Sequence, residues 1–397
     1  MFASNCFVFA TLTLSAYAQS QSIISIPSES TYLLPDGFQG DYNFTFANGT
    51  KTSNDSLNSL LQAASQAPFI SYDPEFSNIL GANPTTQLVQ QRADPFAHEA
   101  GVWVPERNEV WFTSFTIGSS TIYTFNLATN VIVPLNASET IVDPNGGYYF
   151  RGKVYFATYP NNETYRAAII SIDARTLQVE TVLNSYFGLS FNGFNDLTWA
   201  TQGNKSYMFF SDLTFADIFY ADLPPSQLPL NIWRWDPQDK LLLPVVGRNE
   251  IAPNGIRVSP DQRTLYATDS GASARFGAGA SSWYGPYIYA WDLNENMLPV
   301  NRRLFALARQ GVADGLHIDD AGRVWSGEGE GVVVRNPQGK VLGIFNSQFF
   351  SEDKGVAGIS FANFALAGDM LVVLSATRLW TVKLGQTVVS RNSPIVN

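Results

Sequence analysis

Four short motifs along this chain each carry one oxygen-bearing side chain beside a small residue or a turn. They are HEAGV at 98–102, GFNDL at 193–197, APNGI at 252–256 and VADGL at 312–316. Their polar side chains are Glu99, Asn195, Asn254 and Asp314. Two carboxylates and two carboxamides are hard oxygen donors, which suit Ca²⁺. Zn²⁺ and other divalent cations stay open, although Zn²⁺ is less favoured because softer ligands are absent.

The motifs recur at intervals of about 45 to 60 residues, and Asn145 in DPNGG occupies the matching place after the first of them. The chain between them consists of short β-rich runs separated by Gly, Asn, Asp and Pro, as in four-stranded meanders. Six such units follow residue 91, and the last shows three clear strands. Units of this length suit propeller blades, in which four strands take roughly 40–50 residues. The sequence therefore predicts an all-β fold, a six-bladed β-propeller.

A propeller would bring the motif side chains together, because the first strand of every blade lines the central channel. Residues at the start of those strands converge on the axis although they are far apart in sequence. Each motif alone is usually only a turn, since Asn-Gly, Asn-Asp and Asp-Gly are common turn dipeptides. Their recurrence at equivalent positions favours one shared metal site. Its expected members are Glu99, Asn195, Asn254 and Asp314, with Asn145 on the substrate side.

The order and spacing of the motifs resemble those of the gluconolactonase/regucalcin (senescence marker protein) family, in particular its fungal secreted lactonases. The resemblance covers roughly residues 90–385 and rests on HEAGVW, DPNGG, FNDL, PNGI, YATDSG and ADGLHID. It implies a six-bladed propeller with a divalent cation held by Glu99, Asn254 and Asp314. It also implies that Asn195 binds the metal or the substrate beside it.

The chain departs from this family in its long N-terminal lead-in, in an insertion at 215–231 and in Ala313, where relatives often carry Pro. A second insertion lies at 274–285. Aromatic side chains in the two insertions could roof the pocket or only pin long loops. They are Phe215, Phe219, Tyr220, Phe276, Trp283 and Tyr284. The insertions leave the substrate open more than the metal site.

The chemistry implied by such a site is hydrolysis of a cyclic ester, with the cation polarising the lactone carbonyl and stabilising the oxyanion. The attacking water could be activated by a carboxylate, with Asp314 the first candidate and Glu99 the second. Metal-bound hydroxide is an equally open nucleophile. His317, three residues past Asp314, is a further catalytic candidate, whereas His98 is expected to have a structural role. Serine-hydrolase and nucleotide chemistry are disfavoured, because no GxSxG elbow, P-loop or dinucleotide fingerprint occurs in the right setting.

Two rival functions stay open from the sequence. Phosphotriesters or aryl esters could be hydrolysed on the same metal, because one cation can polarise either P=O or C=O. A non-enzymatic propeller that binds carbohydrate or protein could instead keep the cation as a structural ion. Asp212 and Asp269 lie at equivalent ends of second strands, where they either cap a turn or support the metal ligands.

Residues 1–18 are predicted to be a secretory signal peptide. An apolar stretch too short to span a bilayer ends in Ala16-Tyr17-Ala18, which fits a small-x-small cleavage site. No Lys or Arg precedes this stretch, which departs from the usual pattern. We interpret residues 19–90 as an N-terminal extension that wraps a propeller of residues 91–397.

Composition agrees with a secreted glycoprotein. The only cysteine, Cys6, lies in the predicted signal, so the mature chain would contain no disulfide. The net charge of −10 argues against a nucleic-acid partner, and no later segment has the length of a membrane span. The expected partner is a small-molecule lactone, and the oligomeric state stays open. Six N-x-S/T sequons occur at Asn43, Asn48, Asn54, Asn136, Asn162 and Asn204.

Overall fold

The chain forms six sheets around a common centre, and the sheets follow one another in sequence. The computed structural model describes residues 19–20, 23–116, 118–161, 165–216, 220, 223–272, 285–351 and 361–390. The first strands of successive sheets contact one another around the ring. This arrangement confirms the predicted all-β, six-bladed β-propeller. Within the described ranges, no helix combines the length and apolar character needed to cross a membrane.

The segment before residue 91 contains short strands and helices. Its strands are β1 (Gln19–Ser20), β2 (Ile23–Ser25), β3 (Gln39–Gly40), β4 (Thr50–Lys51), β5 (Phe69–Ser71) and β6 (Thr85–Gln91). Its helices are α1 (Phe46–Gly49), α2 (Asp55–Gln66) and α3 (Pro74–Leu80), after a 3-10 turn at Ser28–Thr31. Helix α2 begins where the Asn54 side chain accepts a hydrogen bond from the Leu57 N–H. Its apolar face, which includes Leu61 and Ala64, packs against sheet five.

Sheets one to four are antiparallel meanders of four consecutive strands each. Sheet one contains β7 (Glu99–Val104), β8 (Glu109–Thr113), β9 (Ile122–Asn126) and β10 (Val131–Pro134), with a 3-10 turn at Pro105–Arg107. Sheet two contains β11 (Pro144–Phe150), β12 (Lys153–Thr158), β13 (Ile169–Asp173) and β14 (Val179–Leu183). Sheet three contains β15 (Phe194–Gln202), β16 (Lys205–Asp212), β17 (Asn231–Asp236) and β18 (Leu241–Gly247). Sheet four contains β19 (Pro253–Val258), β20 (Thr264–Asp269), β21 (Tyr287–Leu293) and β22 (Pro299–Leu307).

The last two sheets include strands from the N-terminal segment. Sheet five contains β23 (Leu316–Ile318), β24 (Val324–Glu328), β25 (Gly331–Arg335) and β26 (Val341–Asn346), followed by β5 and β2. Helix α4 (Ser347–Phe350) follows this sheet. Sheet six contains β27 (Phe364–Ser375) and β28 (Arg378–Val389), followed by β6 and β1.

Strand β6 closes the ring, because it pairs antiparallel with the C-terminal strand β28. The boundary predicted at residue 91 therefore lies at the end of a strand that belongs to sheet six. The expectation of three strands in the last unit was wrong, because the runs ending in FALAGD and MLVVLSA form the single strand β27. The other two strands of sheet six come from the N-terminal segment, and such a pairing between the two ends of the chain leaves no local turn signal. The segment at 19–90 thus supplies strands to the propeller in addition to packing on its surface.

The core lies between neighbouring sheets. Between sheets two and three, for example, Phe150 stacks on Trp199 with ring centroids 4.7 Å apart. The innermost strands are buried on both faces, as in β19, whereas outer strands such as β10 and β14 consist of exposed and half-buried residues. The polar motif residues therefore begin strands that are otherwise enclosed by apolar packing.

Candidate metal and substrate site

The first strand of each of sheets one to four carries a β-bulge at its motif. The pairing register shifts between Glu99 and Val102, Pro144 and Gly147, Phe194 and Leu197, and Pro253 and Ile256. A bulge bends the strand and redirects the side chains within it. Because the polar residues at 99, 145, 195 and 254 all lie in these bulges, the same local distortion presents each of them.

The motif glycines are required by the close approach of neighbouring sheets. A Cβ on Gly146 would lie 2.3 Å from the carbonyl oxygen of Asn195, and one on Gly255 would lie 2.3 Å from that of Asp314. Any other residue would collide with the backbone there. The Asn-Gly dipeptides are therefore contacts between adjacent sheets, which a turn preference alone does not explain.

Hydroxyl groups at the ends of second strands hold the motif backbone of the following sheet. Thr113 Oγ1 donates to the Asn145 carbonyl at 3.2 Å, and Ser211 Oγ donates to the Asn254 carbonyl at 2.6 Å. Thr268 Oγ1 donates to the Asp314 carbonyl at 2.8 Å. The repeated arrangement fixes the relative position of adjacent motifs.

Further hydrogen bonds complete the ring of motifs. Asn145 Nδ2 donates to the Asn195 carbonyl at 3.1 Å, which joins sheets two and three. The Gly315 N–H donates to the Ala362 carbonyl at 2.8 Å, joining sheets five and six. Sheet six returns to sheet one through Asn363, whose Nδ2 donates to Glu99 Oε2 at 3.1 Å. The predicted motif residues are thus connected, neighbour to neighbour, around one centre.

Glu99 and Asp314 form a close pair of carboxylates at this centre. Burial, and next the charge of Asp314, raise the pKa of Glu99 well above its ordinary value, whereas donation from Asn363 opposes the shift. Asn254 donates from Nδ2 to Ser270 Oγ at 2.9 Å. Among the described residues, its Oδ1 is buried and has no hydrogen-bond partner. Two carboxylates and an amide oxygen thus offer hard donors of the kind that the motifs predict.

The candidate site does not depend on a cluster of three or more acidic, His or Cys side chains. In the described part of the chain, no such cluster is arranged to hold a metal ion. A metal ion bound by Glu99 and Asp314 would therefore take its further protein ligands from other groups, such as carboxamide oxygens. The predicted metal role of Asn195, Asn254 and the two carboxylates stays a prediction.

Tyr159 joins the two asparagines nearest to the expected substrate. Its hydroxyl oxygen accepts hydrogen bonds from Asn145 Nδ2 at 3.0 Å and from Asn195 Nδ2 at 2.9 Å. These bonds fix how both carboxamides are turned. The sequence analysis missed Tyr159, although it directly follows a second strand, one residue past the position that Asp212 and Asp269 occupy in sheets three and four.

Asp212 and Asp269 cap the turns that lead into their motifs. Asp212 Oδ1 accepts from the N–H groups of Asn192 at 2.9 Å and Gly193 at 3.0 Å. Asp269 Oδ1 accepts from the Ala252 N–H at 3.1 Å. Burial raises the pKa of Asp212 to about 7 and that of Asp269 to about 6. Of the two sequence-based alternatives, these contacts support the turn cap.

A buried ion pair that the sequence analysis missed also lies at the centre. Arg257 Nη1 contacts Asp196 Oδ2 at 2.7 Å, and both side chains are buried. The same guanidinium reaches the Gly147 carbonyl of sheet two at 3.4 Å, so it bridges three sheets. Asp196 also contributes to the raised pKa of Glu99, which places the pair beside the carboxylates. Removing one partner of such a pair typically costs about 3–5 kcal/mol.

The two histidines have buried, mainly supporting positions. His317 Nε2 lies 3.2 Å from Asn363 Oδ1, an atom that can only accept, so the neutral imidazole carries its proton on Nε2. Burial, and next the charge of Arg257, lower the pKa of His317 to about 3. The His98 ring lies 4.7 Å from the Phe115 ring. These contacts give no direct support to the catalytic role predicted for His317.

Tyr220, in the insertion at 215–231, forms one wall of a pocket beside Asn145. The Tyr220 hydroxyl donates to Asp143 Oδ2 and accepts from the Gly118 N–H at 2.7 Å. Phe215 is buried in a cluster that includes Tyr159. A small pocket lies between these elements and is lined by Phe115, Ser120, Asp143, Pro144, Asn145, Tyr159 and Tyr220. Phe219, Phe276, Trp283 and Tyr284 lie outside the described residues.

The sequons can be compared with surface exposure. Asn43, Asn48, Asn54, Asn136 and Asn204 are all exposed. Asn162 and the predicted signal peptide at 1–18 lie outside the described residues. Exposure is necessary for glycosylation but does not establish it.

A family model described as the SMP-30/Gluconolactonase/LRE-like region matches residues 98–348, more than half of the chain. This chain belongs to the SMP-30/gluconolactonase family. The match contains the motifs from HEAGV to VADGL and confirms the resemblance found in the sequence. Sheet six, with Asn363, lies beyond the matched residues.

Individual relatives are moderately similar to this family member. It is 29% identical to the lactonohydrolase oryL of Aspergillus oryzae over 285 residues, covering 66% of this chain and 64% of that protein. The chain therefore spans just under two thirds of this relative's length. It is 26% identical to the lactonohydrolase oryH of the same organism, covering 83% of this chain and 84% of the relative. A solved gluconolactonase from Xanthomonas campestris has the same fold, with 20% identity, a TM-score of 0.63 and coverage of 80% and 95% of the two chains.

Proposed function

We propose that this protein hydrolyses a small lactone, of the sugar type or another class, to its hydroxy acid with the aid of a bound Ca²⁺. The observation that carries the proposal is the pair of the buried Glu99 and the half-buried Asp314 beside the unpartnered Asn254 Oδ1. Membership of the gluconolactonase family, and relatives that are named lactonohydrolases, support the reaction class.

The residues present fit a divalent cation. Positive charge between Glu99 and Asp314 would offset the repulsion that raises the pKa of Glu99. Asn254 Oδ1 and the Asn195 amide would add neutral oxygen donors, which Ca²⁺ accepts readily. When bound, the cation would polarise the lactone carbonyl and stabilise the negative charge that develops on its oxygen.

In the proposed reaction, water gives one proton to a base and adds to the carbonyl carbon, the ring C–O bond breaks, and the released alkoxide receives the proton that the base took from the water. Asp314 is the proposed base for the attacking water, because its N–H and carbonyl are held by Gly327 and Thr268. Glu99 is the second candidate, and Asn363 donates to one of its oxygens. Asn145 and Asn195, held by Tyr159, would orient the lactone from the side of the pocket. His317 would support the site through Asn363.

The test is a panel of aldonolactones, aliphatic lactones, a phosphotriester and an aryl ester, assayed with calcium present. We expect lactone hydrolysis by the wild type and its loss in Asp314→Asn, with an unchanged circular dichroism spectrum. Asp261→Asn, an exposed aspartate outside the motifs, is the matched control and should retain activity. Absence of turnover on every lactone would overturn the proposal, and turnover of the phosphotriester or aryl ester alone would assign another hydrolysis to the site.

We further propose that the protein is secreted and glycosylated. The predicted signal at 1–18 and the exposed sequons support this location together. Expression of the full chain in a eukaryotic host should place the protein in the medium, with a mass that falls on enzymatic deglycosylation. Retention of all the protein inside the cells, at the mass of the uncleaved chain, would contradict the proposal.

A further inference from the structure

Asn363 is a buried side chain of sheet six that uses both ends of its carboxamide. Nδ2 donates to Glu99 Oε2 at 3.1 Å, and Oδ1 accepts from the Phe364 N–H at 2.9 Å. The same Oδ1 lies 3.2 Å from His317 Nε2. Because an amide oxygen only accepts and an NH₂ group only donates, these contacts allow one orientation of the amide.

The Asn363 side chain packs directly against the backbone of Gly315. A Cβ on Gly315 would lie 2.5 Å from Asn363 Nδ2 and 2.6 Å from its Cγ. The glycine of the VADGL motif therefore makes room for the amide of the next sheet. Gly146 and Gly255 likewise lie against the motifs that follow them, although there the closest atom is a backbone carbonyl oxygen.

We propose that Asn363 is the positioning residue that holds the Glu99 carboxylate in place for the cation. Asn363 is the residue of sheet six that joins the connected motifs. Because it contacts both His317 and Glu99, it links the position of the Glu99 carboxylate to that of the His317 ring. The inference rests on the proposed function, because it assigns Glu99 the role of metal ligand. Residues that orient metal ligands typically change metal affinity by about 10–100-fold when they are removed.

Calorimetric titration of the metal-free, full-length protein with CaCl₂ tests this role. Asn363→Leu keeps a similar volume but removes the donor to Glu99 and the acceptor for His317. We expect its Kd for Ca²⁺ to rise by about 10–100-fold. Asn363→Ala adds no new contact and should also raise the Kd for Ca²⁺. It replaces the leucine variant in the titration if that variant does not fold.

The matched control is Asn346→Leu. Asn346 is a buried asparagine that donates to the carbonyls of Ala64, Ser65 and Ala67, on the outer side of sheet five. This variant should lower thermal stability and leave the Kd for Ca²⁺ close to that of the wild type. A Kd in the Asn363 variants within about threefold of the wild type, well below the expected loss, would overturn the inference. Equal weakening in Asn346→Leu would also overturn it, whereas absence of calcium binding by the wild type would instead refute the proposed metal function.

Discussion

Replacing Thr268 by valine should loosen the contact between sheets four and five. The Thr268 hydroxyl accepts from the Gly255 N–H at 2.8 Å and donates to the Asp314 carbonyl at 2.8 Å. Valine has nearly the same shape but can make neither bond. The substitution therefore removes two hydrogen bonds without creating a cavity and leaves two backbone groups unsatisfied.

The expected loss follows from the burial of this contact. Leaving one buried polar group without a partner costs about 1–3 kcal/mol, so two such groups should lower the free energy of unfolding by about 2–6 kcal/mol. The substitution should also disturb the candidate metal site, because the Asp314 carbonyl loses its hydrogen bond from Thr268. We therefore also expect weaker calcium binding by Thr268→Val.

Urea denaturation followed by tryptophan fluorescence measures the first effect. Thr264→Val is the control, because it makes the same substitution in the same strand at a half-buried position. Equal shifts of the unfolding midpoint in the two variants would refute a special role for the Thr268 hydrogen bonds. It would also fail if Thr268→Val changed the free energy of unfolding by less than about 0.5 kcal/mol, which is usual for a surface substitution.

Three further predictions concern stability, substrate size and modification. Burial raises the pKa of Glu330 to about 7 despite Arg309, so the folded state binds more protons than the unfolded state between about pH 4.5 and 7. The free energy of unfolding should fall across that window as pH rises, and Glu330→Gln should reduce the slope measured by urea denaturation; an unchanged slope would contradict the assignment. Tyr220→Ala should open the pocket beside Asn145 and raise kcat/KM for bulky lactones over small ones by about tenfold, and an unchanged size preference would exclude Tyr220 as a limiting wall. Single Asn→Gln changes at exposed sequons such as Asn136 and Asn204 should each remove one glycan by mass spectrometry, whereas identical glycopeptide maps would show that the altered site is unused.

The repeated motifs made the fold and much of the candidate site predictable. Glu99, Asn254 and Asp314 stand out because each lies beside a small residue at the same place in its unit. The motifs also contain glycines, which the sequence alone attributes to turns. The structure shows that these glycines are required because adjacent sheets approach closely there. Because this close approach recurs at several motifs, the regular spacing of the motifs in the sequence made it detectable.

Other parts depend on contacts that the local sequence does not record. Strand β6 joins sheet six by pairing the two ends of the chain. Asn363 follows alanine and precedes phenylalanine, without the glycine that marks the other motifs. Arg257 and Asp196 form their ion pair only where sheets three and four pack together. The spacing of about 50 residues after Asp314 is the one signal that could have identified Asn363.

We propose that Glu99, Asn254 and Asp314 together bind a divalent cation that lactone hydrolysis requires. The most direct measurement follows elemental content and lactonase activity in the same wild-type samples during chelation and calcium return. We expect about one divalent ion per chain, as for a single Ca²⁺ site. Activity should fall in proportion to the metal removed and return with Ca²⁺. Full lactonase activity in protein shown to be free of metal would contradict it.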